Sequence, residues 1–281
     1  MKKSIGSVFL AFVYLTVLLS GCAPASTPVP LAAETSTPTL TPWSLVVVGD
    51  SIPYNSPMAC PGCTGFVDRY AATISKATGH PVNVRNLSQL RLQIDDLIVE
   101  LKTNATRRDA LANADIIIVG IAFNDTPWIR DDDPCDGPSG NKPDWSKYNT
   151  TCAAAAAEIF RPKFESVYAQ IVALREGKPT IFRTINRYND WIGWTSETGE
   201  TNPPEATNAT RVVIDAWSAM ICEAARANGF SCADIYHAFN GSDGLTPSGD
   251  LLAKDYTHPS DKGNELIARI LTDLGFAPLA P

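Results

Sequence analysis

Histidine is scarce in this chain: of 281 residues only His80, His237 and His258 carry an imidazole, so any histidine chemistry has three candidates. The chain also lacks an excess of positive charge, with 23 lysines and arginines against 30 acidic residues and a net charge of −7. Such a balance repels phosphates and excludes a nucleic-acid partner. No hydrophobic run reaches the roughly 20 residues that a membrane-spanning helix needs. The longest, Ile5 to Leu19, is shorter and sits behind Lys2 and Lys3. No Cys and His ligands stand at zinc spacing. The run Asp131-Asp132-Asp133 lacks the spaced oxygen ligands and glycine of a calcium loop, and reads as a solvated acidic turn. No metal or cofactor is therefore expected. No internal repeat is visible. What is present, 44% hydrophobic and 19% charged residues, is a globular composition able to build a substantial core.

The apolar run behind the two lysines has the form of a secretory signal. It closes on Leu19-Ser20-Gly21-Cys22, which resembles the lipobox of bacterial lipoproteins. That resemblance implies removal of residues 1–21, lipidation of Cys22 as the new first residue, and attachment to the cell membrane through the lipid alone. The other reading is an ordinary signal peptide cut near Ala23-Pro24-Ala25, which would leave the protein secreted. Both readings place it outside the cytoplasm. Residues 22–42 are almost wholly Ala, Pro, Ser and Thr, a tether that cannot bury enough apolar surface to order itself. Loss of residues 1–21 takes the net charge from −7 to −9, because only Lys2 and Lys3 go.

With Cys22 set aside, Cys60, Cys63, Cys135, Cys152, Cys222 and Cys232 form an even set in an exported chain, and disulfides are expected. Fifteen connectivities are possible. Sequence neighbours favour Cys60–Cys63, Cys135–Cys152 and Cys222–Cys232, each closing a local loop. For Cys60-Pro-Gly-Cys63 a redox motif or half a zinc site stands as the rival reading.

Residues 43–281 read as one domain in which strands and helices alternate. The unbroken β-branched run Ser44 to Val48 is a first strand buried on both faces. A helix over Gly65 to Thr78, a strand over Pro81 to Leu87 and helices near Gln93–Lys102 and Thr106–Ala112 follow. Ala114 to Ile121 has no polar alternation and reads as the central strand. A long loop, Asp125 to Thr151, precedes a helix over Ala153 to Glu176, a strand over Thr180 to Ile185 and a second long loop to Pro204. A helix from Ala206 to Asn228, a fifth strand over Phe230 to Ile235 and a helix over Asp261 to Leu274 complete the pattern. Pro259 reads as the first residue of that last helix. Alternation of this kind predicts an α/β fold: a three-layer α/β/α sandwich on a five-stranded parallel sheet, flavodoxin-like in outline.

Ser51 then falls just past the carboxyl end of the first strand, where open α/β sheets bind ligands. Asp255, three residues before His258, can hold one imidazole nitrogen and leave the other to take a hydroxyl proton. A serine, a base and an orienting carboxylate are the parts of nucleophilic acyl transfer. Asn124, after the third strand, offers an uncharged carboxamide donor. His80 and His237 read as a loop residue and a strand-end residue without a partner motif, and Asp125 as a cap for the turn after the strand.

Four blocks in chain order resemble the GDSL, or SGNH, hydrolases: Gly49-Asp50-Ser51, with Ile52 in place of the leucine; Asn86-Leu87-Ser88 followed by Asp96-Leu97; Ala122-Phe123-Asn124-Asp125; and Asp255-Tyr256-Thr257-His258-Pro259. The resemblance covers most of residues 44–275. It implies an ester hydrolase with Ser51, His258 and Asp255 as triad and an oxyanion hole from the N–H groups of Ser51 and Arg91 and the carboxamide of Asn124. Two departures stand out: Arg91 occupies a position where the family has glycine, and Ala122 replaces a second glycine. A monomer acting on a small-molecule, lipid or glycan ester is expected. Carbohydrate O-deacetylation and lysophospholipid hydrolysis are alternatives on the same residues, and a surface lipoprotein that binds without turnover is a third. Trp128, Trp145, Trp191 and Trp194 lie in the two long loops, where they can hold an acyl chain, stack on a sugar ring or anchor the loops.

Overall fold

A computed structural model of the chain describes residues 40–138, 143–194 and 201–280. The signal, the lipobox cysteine Cys22 and most of the tether lie outside the described residues. Five strands, β1 (Trp43–Gly49), β2 (Val82–Asn86), β3 (Ile116–Gly120), β4 (Ile181–Ile185) and β5 (Ser231–Ala233), form one sheet in the order β2-β1-β3-β4-β5. All four pairings are parallel. β3 is central, as its uninterrupted apolar run predicts, and its five residues are all buried.

Alternate side chains of β1 and β3 enter opposite layers. Leu45, Val47, Ile116 and Ile118 pack with α2 (Phe66–Thr78) and α8 (Asp261–Asp273). Val46, Val48, Ile117 and Val119 pack with α3 (Ile94–Thr103), α4 (Ala105–Ala112), α5 (Thr150–Arg175) and α6 (Pro204–Ala227). Period-two alternation between two helical layers is what an unbroken apolar strand needs to be buried on both faces. The three-layer α/β/α sandwich follows.

The chain runs outward from β1 to β2 and then returns to the other side of β1 as β3, so the strand order reverses between β1 and β3. That reversal opens a crevice at the carboxyl ends of the two strands. Ser51 follows β1 and Asn124 follows β3 into it.

Three differences from the sequence reading bear on the site. Ser51 opens a four-residue helix, α1 (Ser51–Tyr54), too short to show periodicity. β5 stops at Ala233, because the Asp234 carboxylate accepts the N–H of His237 and starts α7 (Ile235–Asn240). Pro259 lies before α8 rather than in it. Ser260 is the N-cap, its hydroxyl accepting the N–H of Gly263, while Pro259 makes an antiparallel bridge with Leu252.

Disulfides join Cys60 to Cys63, Cys135 to Cys152 and Cys222 to Cys232, with Cα separations of 5.5, 5.4 and 5.2 Å. The second ties the loop after β3 to the first turn of α5. Within that loop the acidic run is not wholly solvated: Asp133 is buried, takes the N–H of Cys135 at 2.8 Å and accepts the Tyr148 hydroxyl.

Candidate active site

Gly49 ends β1 where the chain must pass β3 at close range; a Cβ there would lie 2.1 Å from the Gly120 carbonyl oxygen. The close approach lets Asp50 N–H donate to Gly120 O at 3.0 Å. Asp50 is fully buried and caps α1: one carboxylate oxygen accepts Ile52 N–H, the other the N–H groups of Ala122 and Phe123, each at 3.0 Å. Burial pushes its carboxyl above the ordinary range, against the pull of those three N–H groups and of Arg187. Asp50 thus clamps the turn carrying Ser51 to the segment that leads into Asn124. Its signal in the sequence was a lone charge at the end of an apolar run.

Arg91 adopts φ +61°, the left-handed conformation that glycine accepts most easily. It sits in a turn closed by Leu92 N–H donating to Gln89 O at 3.4 Å, and Gln89 N–H reaches back to Gly49 O at 2.9 Å. The Asn124 carboxamide donates one N–H to Leu92 O at 3.1 Å, and Gln93 Nε2 donates to Asn124 O at 3.0 Å. These bonds bring the turns holding Ser51, Arg91 and Asn124 to one corner of the rim. The backbone N–H groups of Ser51 and Arg91 find no acceptor among the described residues, and one carboxamide hydrogen of Asn124 stays uncommitted. Asp125 does more than cap a turn: both carboxylate oxygens receive Ile94 N–H at the start of α3, and Arg130 Nη1 lies 3.1 Å from one of them.

On the other side of the crevice, His258 Nδ1 is 2.7 Å from Asp255 Oδ2. Oδ1 of the same carboxylate accepts the N–H groups of Thr257 and His258. The short loop is closed by Ala253 N–H to His258 O at 2.8 Å. Tyr188, fully buried, donates its hydroxyl to Thr257 O at 2.6 Å and packs edge-on against Phe123 at 4.7 Å. Because Phe123 N–H binds Asp50, one continuous chain of contacts runs from the Ser51 turn to the His258 loop. Neither Asp50 nor Tyr188 had an assigned role in the sequence reading. Among the described residues no hydrogen bond joins the Ser51 hydroxyl to His258, whose Nε2 is buried and finds no partner there.

A family model of the GDSL-like lipases and acylhydrolases matches residues 47–266, a span that contains all four blocks. The chain belongs to this family. Membership makes it a hydrolase of esters. No curated protein shows a significant sequence match to it. Among solved structures, a lipase from a goat rumen metagenome is 17% identical with a TM-score of 0.64, covering 84% of this chain and 99% of its own. A lipase/acylhydrolase from Enterococcus faecalis is 17% identical with a TM-score of 0.53, covering 83% and 95%. An acetylxylan esterase from Geobacillus stearothermophilus is 15% identical with a TM-score of 0.53, covering 83% and 94%. At these identities the likeness is one of fold, and the GDSL-like fold is the α/β/α sandwich described above.

The other histidines divide. His80 stacks on Trp43 with centroids 4.4 Å apart, a surface loop contact. His237, contrary to the sequence reading, does have a partner: Asp234 stands at the same three-residue spacing, with Oδ2 2.6 Å from Nδ1. Asp234 is the N-cap of α7, so a capping carboxylate and a first-turn histidine explain the pair. Its imidazole is 48% exposed, against 22% for His258, and it lies beside the Cys222–Cys232 disulfide, past the edge strand.

The tryptophans divide as well. Trp128 is buried and packs 6.1 Å from both Trp145 and Trp191, in a cluster that also holds Val213 and Ile214 of α6, so it anchors the loops. Trp191 and Trp194 instead line a cavity of about 240 Å³ with Asp190, Asn202 and Thr257, the residue before His258.

Proposed function

We propose that the protein hydrolyses carboxylic esters by a serine mechanism in which Ser51 is the nucleophile, His258 the general base and Asp255 its orienting partner. The observation that carries this reading is the state of His258: one ring nitrogen is held by a carboxylate, and the other is buried and has no partner among the described residues. A buried polar atom without a partner is costly, and at a base it is the atom that must accept a proton. The Ser51 hydroxyl gives its proton to Nε2 as Oγ bonds the acyl carbon. The resulting oxyanion is met by the N–H groups of Ser51 and Arg91 and the Asn124 carboxamide. The imidazolium returns the proton to the departing alkoxide as the ester C–O bond breaks, and water then repeats the sequence to release the acid. Side chains and water balance every step.

The test is covalent labelling. A fluorophosphonate should add once, on Ser51, in the native chain and not at all in Ser51→Ala. Undiminished p-nitrophenyl acetate turnover by Ser51→Ala sinks the serine mechanism. The protein is further proposed to act outside the cytoplasm, held to the membrane by acyl groups on Cys22, because Leu-Ser-Gly-Cys closes the N-terminal apolar run and a polar tether follows. Cys22→Ser should shift it to the soluble fraction; retention in membranes overturns the anchor.

A further inference from the structure

The loop that carries the base is closed on itself. Within residues 253–258, Ala253 N–H donates to His258 O at 2.8 Å, Tyr256 N–H donates to Ala253 O at 3.0 Å, and the Asp255 carboxylate meets only Thr257 and His258. None of these residues is buried, and Tyr256 is held at φ +57°, a left-handed conformation that costs any side-chain-bearing residue. The bridge between Leu252 and Pro259 fixes the stem of the loop. Beyond that stem, one hydrogen bond among the described residues ties the segment to the rest of the chain: Tyr188 donates its hydroxyl to Thr257 O at 2.6 Å. Thr257 is the residue before His258. No ion pair or ring contact among the described residues adds to that tie.

The phenol itself is fixed from every side. Its ring is fully buried, stacks on Phe239 of α7 with centroids 4.3 Å apart, and meets Phe123 edge-on at 4.7 Å. The Tyr188 carbonyl accepts Nη1 of Arg187 at 2.8 Å, and that guanidinium lies 4.6 Å over the same Phe123 ring. Phe123 N–H in turn donates to Asp50, the N-cap of the helix that Ser51 opens. The hydroxyl therefore belongs to the frame of the nucleophile, while the loop it holds carries the base. Burial keeps the phenol well above its ordinary value of 10, with the Asp190, Asp50 and Asp255 carboxylates adding to the rise and Arg187 opposing it, so Tyr188 stays a donor over the whole neutral range.

We infer that Tyr188 is the positioning residue of the base: its hydroxyl, through the Thr257 carbonyl, sets where His258 Nε2 stands relative to the Ser51 hydroxyl. The inference rests on the serine-hydrolase reading. Tyr188 touches no reacting atom and acts through His258. Proton transfer needs the two atoms within hydrogen-bond reach, and a misplacement of about 1 Å costs on the order of 10²-fold in rate. Because the Asp255 contact lies inside the loop, a loop released from Tyr188 moves with its dyad intact, and the base keeps its partner while it loses its aim.

Tyr188→Phe in the full chain removes the hydroxyl and keeps the ring. With p-nitrophenyl acetate it should lower kcat by about ten- to hundredfold, with KM changed by less than about threefold and circular dichroism unchanged. Fluorophosphonate labelling of Ser51 should slow by the same factor. In a His258→Ala background the same substitution should alter the residual turnover by less than about twofold, because a residue that acts through the base has nothing left to act on. Phe239→Leu gives the second comparison: it removes the stacked ring and retains the hydroxyl, so it should lower the melting temperature more than Tyr188→Phe does and lower kcat less. Native kcat in Tyr188→Phe overturns the proposal and leaves the hydrolase reading standing. So does an equal loss with and without His258, or a kcat that follows the melting temperature across the two variants, since either makes Tyr188 a structural residue only. Absence of ester turnover in the native chain overturns the hydrolase reading, and this inference with it.

Discussion

Asp255 commits both oxygens to one loop: Oδ2 lies 2.7 Å from His258 Nδ1, and Oδ1 takes the N–H groups of Thr257 at 3.1 Å and His258 at 3.0 Å. Burial works to raise this carboxyl, but the His258 ring and the two backbone donors outweigh it and hold it below the ordinary value of 3.8. A depressed carboxyl contributes stability above its ordinary value and loses it as pH falls through the lowered one, so the loop stays locked throughout the neutral range. Asp255→Asn should lower kcat by about 10⁴, because an amide can leave the imidazole in the wrong tautomer and no longer stabilises its cation. His258→Ala should cost at least as much, and Ser51→Ala combined with it hardly more, since the two act as one unit. Steady-state kinetics on p-nitrophenyl acetate decide this. Multiplicative losses in the double variant would show that the two residues act independently.

Asn124 is fixed by its bond to Leu92 O, with one carboxamide hydrogen left over. A donor aimed at charge that exists only in the transition state lowers kcat without changing substrate affinity. Asn124→Ala should reduce kcat by about 10²–10³ with KM changed by less than about threefold. If KM rises while kcat holds, Asn124 binds substrate instead.

Arg91 at φ +61° is the other side of the same corner. The left-handed conformation costs a non-glycine residue about 1–2 kcal/mol. Glycine removes that cost but loses about 0.5–1 kcal/mol through the freer unfolded chain. Arg91→Gly should therefore raise stability by about 0–1.5 kcal/mol and retain turnover, because the proposed donor is a backbone N–H. Arg91→Val, β-branched in the same conformation, should destabilise by more than about 1 kcal/mol. Urea unfolding of the two variants checks the order, and a reversed order would mean that the turn relaxes to negative φ.

The sheet was readable because β1 and β3 are unbroken apolar runs, and burial on both faces is what short runs such as Val-Val-Val and Ile-Ile-Ile require. Ser51, Asn124, Asp255 and His258 were readable for a related reason: each follows an element whose end is marked by composition or motif. The rest depends on which backbone atoms meet across the fold. Nothing local shows that Asp50 will reach Ala122 and Phe123, or that Tyr188 will reach Thr257, 69 residues away. Asp234 and His237 repeat the spacing of Asp255 and His258 without a motif around them, and their pairing depends on β5 ending early; the Asn186 carboxamide oxygen, which accepts the N–H groups of Ile235 and Tyr236, helps end that strand. The anchoring of Trp128 needed α6 in view, and the cavity of Trp194 needed Thr257.

Asp125 titrates in the range where such an enzyme would work. Burial raises its carboxyl to about 7, against the pull of the Ile94 N–H and Arg130; the Asp50 and Asp95 carboxylates add to the rise. A carboxyl raised on folding contributes stability that is full below its ordinary value of 3.8 and is lost as pH climbs through the folded value, because between the two the folded chain holds a proton that the unfolded chain has released. Stability should thus fall from this group as pH rises from about 4 to about 7. Asp125→Asn keeps an acceptor for Ile94 and removes the titration. Relative to the native chain, it should gain a few kcal/mol over that window. Asn124 is the neighbouring residue, and the start of α3 that Asp125 holds is continuous with the Arg91 turn. The variant's kcat should therefore fall through misplacement of those donors. Urea midpoints of both proteins at intervals from pH 4 to pH 8 give the comparison. A constant difference between them across that range would show that Asp125 is ionised throughout, and that Arg130 and the helix start offset its burial.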